Sequence, residues 1–258
     1  METESNYLYR VFRATEEENR RVIRGLLEPD PQARLLDLGC YDGSWTRQLA
    51  ETIGTRAVTG VEVSPEAAER ARAQGIDVVC ADLNGEIPLP EASFDVIHAN
   101  QVIEHLVETD CFAREIWRLL SPSGYAVVST NNLASLHNIV SLVCGRQPPP
   151  VHVSNERILG NPSNPLHGDA HESRAMSHLR VFSYRALREF LLHHGLVAEV
   201  YRTVGFYPFP VPAARIVRWL LPMYGAFLTC KVRKAGVPAR IQSPAEEQQR
   251  HCCEGVVG

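Results

Sequence analysis

Short apolar runs, each closed by a glycine or an acid, recur along the first half of this chain and alternate with segments of helical period. Ala33–Leu38, Ala57–Val63, Ile76–Leu83 and Ser93–Asn100 predict four strands, and a helix end, a turn and a fifth strand fill Leu119–Thr130. Between them, Ser44–Thr52 has helical period, and Ser64-Pro65-Glu66 opens a second helix with a cap, a proline at the first position and an acid in the first turn. Strands alternating with helices predict an α/β fold with a mostly parallel sheet covered on both faces. Farther on, Leu133–Cys144 reads as an apolar helix stopped at Pro148-Pro149-Pro150. Ser183–Leu192 reads as an amphipathic helix capped by Ser183 and ended by Gly195. Val197–Val204 and Ala226–Val232 predict a sixth and a seventh strand. Ahead of the first strand, residues 6–28 predict one or two helices, broken by Pro29 and Pro31.

Two stretches do not fit this rhythm. From Arg146 to about Leu179 there is no apolar period, and the segment carries His152, His167, His171 and His178. Its place after the fifth strand puts it over the open end of the sheet, so a substrate lid is expected. Residues 205–225 carry Tyr207, Phe209, Trp219 and Tyr224 among four prolines. Within them, Arg215–Leu221 is apolar and basic and too interrupted to span a bilayer. It reads as a helix packed on the sheet edge, as one resting on a membrane surface, or as the wall of a pocket for a greasy acceptor.

Chemistry concentrates at the strand ends. Asp37-x-Gly39-x-x-x-Gly43 makes a tight turn between a strand and a helix, where bare backbone and first-turn N–H groups can meet a polar ligand, with Asp42 beside them. The spacing is not the G-x-G-x-x-G of dinucleotide sites. Glu62, 19 residues after Gly43, stands at the tip of the next strand, where an acid accepts hydrogen bonds from ribose hydroxyls. Asp82 closes the third strand, placed for an adenine amino group with Leu83 beside the ring.

In this order the residues resemble the class I S-adenosylmethionine-dependent methyltransferases, of small-molecule type. Leu35-Leu36-Asp37-Leu38-Gly39-Cys40-Tyr41-Asp42-Gly43 is similar to the family's first motif, with Tyr41 where many members carry a second glycine. Glu62, Asp82, Phe94-Asp95-Val96-Ile97 and Leu120-Ser121-Pro122-Ser123-Gly124 follow in sequence, and Val102–Leu106 looks like the helix after the fourth strand. The resemblance runs from residue 33 to about residue 132. It implies a Rossmann-like seven-stranded sheet with a lid insertion after the fifth strand, S-adenosylmethionine as cofactor and S-adenosylhomocysteine as product. It also implies a cofactor site built from Asp37, Gly39, Cys40, Asp42, Gly43, Glu62, Val63, Asp82, Leu83 and Asn100. The chain then divides into cofactor-covering helices over 1–32, a methyltransferase domain over 33–239 with the lid at about 146–180, and a mobile tail over 240–258.

Composition narrows the partners. The 258 residues carry a net charge of −4, which gives no bulk attraction to nucleic acid. The polar, acidic start Met1-Glu2-Thr3-Glu4 and an odd set of seven cysteines point to a cytoplasmic chain with reduced thiols. Asn100-Gln101-Val102-Ile103 lacks the Pro-Pro run of nucleobase and amide amino-methyltransferases. A hydroxyl acceptor benefits from a base that titrates near neutrality. His178, in a His-x-Arg-x-Phe-Ser run similar to one preceding the same helix in small-molecule methyltransferases, is the first candidate, and His105 is the second. A structural role stays open for both, and His98 reads as a core histidine. His167, Asp169 and His171 match no strong metal template, so no metal is expected. The function expected is O-methylation of a small molecule: a sugar, natural product, quinone or lipid precursor. C- or N-methylation and non-catalytic cofactor binding are the alternatives.

Overall fold

The computed structural model describes residues 7–170 and 177–235. Seven strands form one sheet: β1 (Arg34–Leu38), β2 (Ala57–Glu62), β3 (Asp77–Cys80), β4 (Phe94–Asn100), β5 (Leu120–Asn131), β6 (Leu196–Val204) and β7 (Phe227–Lys234), in the order β3-β2-β1-β4-β5-β7-β6. All neighbours pair parallel except β7, which runs antiparallel to both β5 and β6. The strand order reverses between β1 and β4, which opens a crevice at their carboxyl ends.

Among the described residues seven helices accompany it: α1 (Tyr7–Arg24), α2 (Ser44–Ile53), α3 (Pro65–Ala73), α4 (Thr109–Leu119), α5 (Leu136–Val143), α6 (Tyr184–His193) and α7 (Val211–Leu220). β1 is apolar on both sides because both its faces are covered. Leu36 and Leu38 pack with Ile97, Phe112, Ile116 and Leu187 on the face of α4 and α6. Leu35 packs with Ile23, Leu49, Ile53 and Val127 on the face of α1 and α2.

Several boundaries differ from those read in the sequence. The N-terminal segment is a single helix, held to the sheet by Asn19. The Asn19 side chain donates to the Ser129 hydroxyl at 2.9 Å and to Asn100 at 3.3 Å, and it accepts from Thr229 at 2.6 Å. β3 stops at Cys80, so Asp82 lies in the following turn, where Gly85 N–H bonds its carbonyl. Val102–Leu106 is a single 3-10 turn over Ile103–His105, and the true helix is α4. The turn expected at Pro122-Ser123-Gly124 lies inside β5 as a bulge, the register passing from Phe94↔Leu120 to Val96↔Tyr125. There a Cβ on Gly124 would sit 2.9 Å from the Asp95 carbonyl. Residues 146–170 are ordered by their own bonds: Gln147 N–H to the Gly160 carbonyl, and the Asn161 amide to Ser141 and to the Gln147 carbonyl. α7 buries only Ala214 and lies against α1, its Arg215 paired with Glu18 at 3.2 Å. His171 and the 240–258 tail lie outside the described residues.

Candidate active site

The turn after β1 is made by three residues with left-handed backbone: Gly39 (φ 77°), Tyr41 (φ 49°) and Gly43 (φ 78°). Tyr41 occupies a conformation that favours glycine, at a cost of about 1–3 kcal/mol. Its N–H donates to Glu62 at 2.9 Å, and the Arg70 guanidinium lies over its ring at 5.4 Å. Both glycines are closely packed against the chain. A Cβ on Gly39 would meet Val102 at 2.7 Å, and one on Gly43 would meet Ile76 at 2.5 Å. Asp42 accepts from Ser44 N–H, which holds its carboxyl below the usual range.

Asp37 and Cys40 lie beneath the turn. The Asp37 carboxylate is buried and bonded by the Thr46 hydroxyl and by His98 Nδ1 at 2.7 Å. His98 is a core histidine, its second nitrogen 3.4 Å from Trp45 Nε1. The Cys40 thiol packs under Gly60, and burial pushes it up to about 12, so it is neutral. Both side chains shape the turn from below.

Glu62 stands at the tip of β2, one carboxylate oxygen accepting from Tyr41 N–H and the other from Ser64 N–H. Each oxygen has a second lone pair for a hydroxyl. Val63 beside it is 63% exposed, apolar surface at the ligand edge. The exposed Asp82 gives one oxygen to Asn84. Leu83, next in the chain, has its side chain buried in the core. Asn100 ends β4 and is partly held by Asn19.

Next to Asn100, Gln101 has a left-handed backbone (φ 57°). Its side-chain oxygen accepts from Asn131, and its buried Nε2 meets no partner among the described residues. A strained backbone with an orphaned buried donor at a sheet switch point makes this a candidate ligand site. The residues present fit S-adenosylmethionine there: Glu62 for the ribose, Val63 for the adenine face, and the turn and Gln101 for polar groups.

A cluster follows one turn on. Glu104 is fully buried, bonded by the Thr130 hydroxyl at 2.8 Å and by Asn131 at 3.3 Å, and burial pushes its carboxyl up to about 7. Its carbonyl accepts the N–H groups of Leu179 and Arg180, which draws His178 to the site. His105 Nδ1 donates to the Ser177 carbonyl at 3.3 Å, and His178 Nδ1 to the Pro150 carbonyl at 2.9 Å. Since a carbonyl only accepts, Nδ1 carries the hydrogen in each of these bonds. The rings of His105 and His178 lie 4.9 Å apart, and His152 stacks on His178 at 4.5 Å. One ligating atom from each of Glu104, His105 and His178 lies within 4.8 Å of the others, a spacing that suits a cation. Sequence reading named the two histidines but missed Gln101, Glu104 and His152. The Glu104-His105 adjacency was the available signal, whereas His152 lies 26 residues from His178.

A family model described as a methyltransferase domain matches residues 36–128. A probable S-adenosylmethionine-dependent methyltransferase of Mycolicibacterium smegmatis is 38% identical over 100 residues, 38% of this chain and 38% of its own length. A ubiquinone biosynthesis O-methyltransferase of a Caulobacter species is 34% identical over 105 residues, 38% of this chain and 41% of its own length. The match thus spans about two fifths of these relatives. A solved S-adenosylmethionine-dependent methyltransferase of Mesorhizobium loti has the same fold, with TM-score 0.55 at 22% identity, over 83% of this chain and 96% of that one.

Proposed function

We propose that this chain is a class I S-adenosylmethionine-dependent methyltransferase, as its matching domain supports, and that it methylates an oxygen of a small molecule. The observation that carries the reading is the histidine cluster beside the carboxyl end of β4, next to the orphaned Gln101 amide. When bound, S-adenosylmethionine supplies an electrophilic methyl group, and the protein has to place and deprotonate the acceptor. Glu62 would hold the ribose, and the turn from Gly39 to Gly43 would flank the methionine part. Asp82 would meet the adenine amino group, and Asn100 would back the sulfonium side. The α1 helix and residues 146–170 would close over the crevice. His178, its Nδ1–H fixed by the Pro150 carbonyl, presents a basic Nε2 tautomer and takes the hydroxyl proton. His105 and Glu104 position it. The relative from the Caulobacter species is named for ubiquinone biosynthesis, which supports a quinone precursor among the acceptor classes. Sugars, other natural products and lipid precursors are the remaining classes.

The test is transfer of labelled methyl from S-adenosylmethionine to a panel of hydroxyl acceptors. His178→Ala should lower kcat by about 10²-fold while leaving S-adenosylhomocysteine affinity unchanged; a wild-type rate would remove His178 from the chemistry. The Glu104–His105–His178 spacing supports a second reading, a divalent cation that lowers the acceptor's pKa. Turnover lost in chelator and restored by Mg²⁺ or Mn²⁺ would select it, and turnover indifferent to chelator would reject it.

A further inference from the structure

Two helices at the ligand edge of the sheet turn their apolar side chains outward. α5 follows β5, and α7 lies between β6 and β7, so both extend from the edge where β1 and β4 open. The segments on either side of α7 meet the start of α5: Leu136 N–H bonds the Tyr224 carbonyl at 2.9 Å, and the rings of His137 and Tyr207 lie 5.5 Å apart. In α5 the usual burial is inverted. Asn138 and Ser141 point inward, bonding the Asn132 carbonyl and Asn161, while Val140, Leu142 and Val143 are 54%, 59% and 83% exposed. In α7, Ile216, Trp219 and Leu220 are 67%, 82% and 63% exposed. Isolated exposed hydrophobics are ordinary, but two adjoining helices of them are not.

Charge says what covers them. The chain has a net charge of −4, yet residues 132–155 and 205–235 contain no Asp or Glu. On the two helical segments stand Arg146, Arg215 and Arg218, of which Arg215 pairs with Glu18 at 3.2 Å. An apolar, basic surface with an exposed tryptophan fits the boundary of an anionic bilayer. We propose that α5 and α7 together seat the chain on an anionic lipid surface, with the crevice facing the bilayer. An acceptor held in the membrane would then reach the crevice without crossing water. The docking itself does not depend on the methyl-transfer reading.

The experiment is co-sedimentation of the full chain with vesicles of phosphatidylcholine alone or mixed with phosphatidylglycerol, with tryptophan emission recorded alongside. Trp219 is far more exposed than the half-buried Trp45 and Trp117, so it should dominate any blue shift. The expected result is binding and a blue shift on the anionic vesicles only, weakened as salt rises from about 0.1 to about 0.5 M. The Ile216→Ser/Trp219→Ser and Leu142→Ser/Val143→Ser pairs should each cut partitioning by about tenfold or more. S-adenosylhomocysteine affinity serves as a separate check of folding. Equal partitioning of wild type and variants would overturn the proposal, as would absence of binding to either vesicle. A dimer in sedimentation that the serine variants dissociate would assign the surface to a second copy instead.

Discussion

Glu62 is the proposed holder of the ribose. Its two oxygens are oriented by the N–H groups of Tyr41 and Ser64, so the ribose hydroxyls would meet a carboxylate already fixed in place. Glu62→Ala should weaken S-adenosylhomocysteine binding by about 1–3 kcal/mol, measured by calorimetry, with Glu62→Gln losing less because one acceptor oxygen remains. Unchanged affinity in both would displace the ribose assignment. A second residue-scale effect concerns pH. Burial beneath the α5–Tyr207 contact lowers His137 to about 4 from its ordinary 6.5. A histidine kept neutral in the folded state contributes stability that is full above 6.5 and is lost as pH falls toward 4. His137→Gln should flatten the pH dependence of the urea midpoint over that window, by an amount on the order of 1–3 kcal/mol. A parallel curve for the variant would place the loss elsewhere.

Among elements, α1 depends on a single polar anchor. Asn19 reaches three partners on β4, β5 and β7 through one buried amide, so Asn19→Ala leaves polar groups unmatched and should cost about 2–3 kcal/mol in urea unfolding. A loss below about 0.5 kcal/mol would mean that the apolar contacts of Ile23 and Val22 hold the helix alone. No hydrophobic pattern could announce this, because Asn19 sits in a charged stretch and its partners lie 81 to 210 residues away. The strands of the first half were legible because each is a continuous apolar run buried on both faces. β3 was read too long, since the apolar Leu83 belongs to the core without belonging to the strand. α5 and α7 were legible as helices, but their outward apolar faces were not. Periodicity gives the stripe and does not say whether protein covers it. The strand-end acids were found by position, whereas the inward turn of Asp37 and Cys40 depends on Thr46, His98 and Gly60, which only the fold brings together.

At the scale of the molecule, the proposed catalytic cluster and the proposed docking surface share one edge. The crevice between β1 and β4, the His105–His178 pair and the exposed helices all lie at the carboxyl ends of the parallel strands. No helix among the described residues is long and apolar enough to cross a membrane, so contact with lipid would be superficial. The measurement that tests the central claim most directly is calorimetric titration of the purified chain with S-adenosylhomocysteine, followed by NADH. The account predicts one site of micromolar affinity for the first and no heat from the second. Binding of NADH with none of S-adenosylhomocysteine would contradict it.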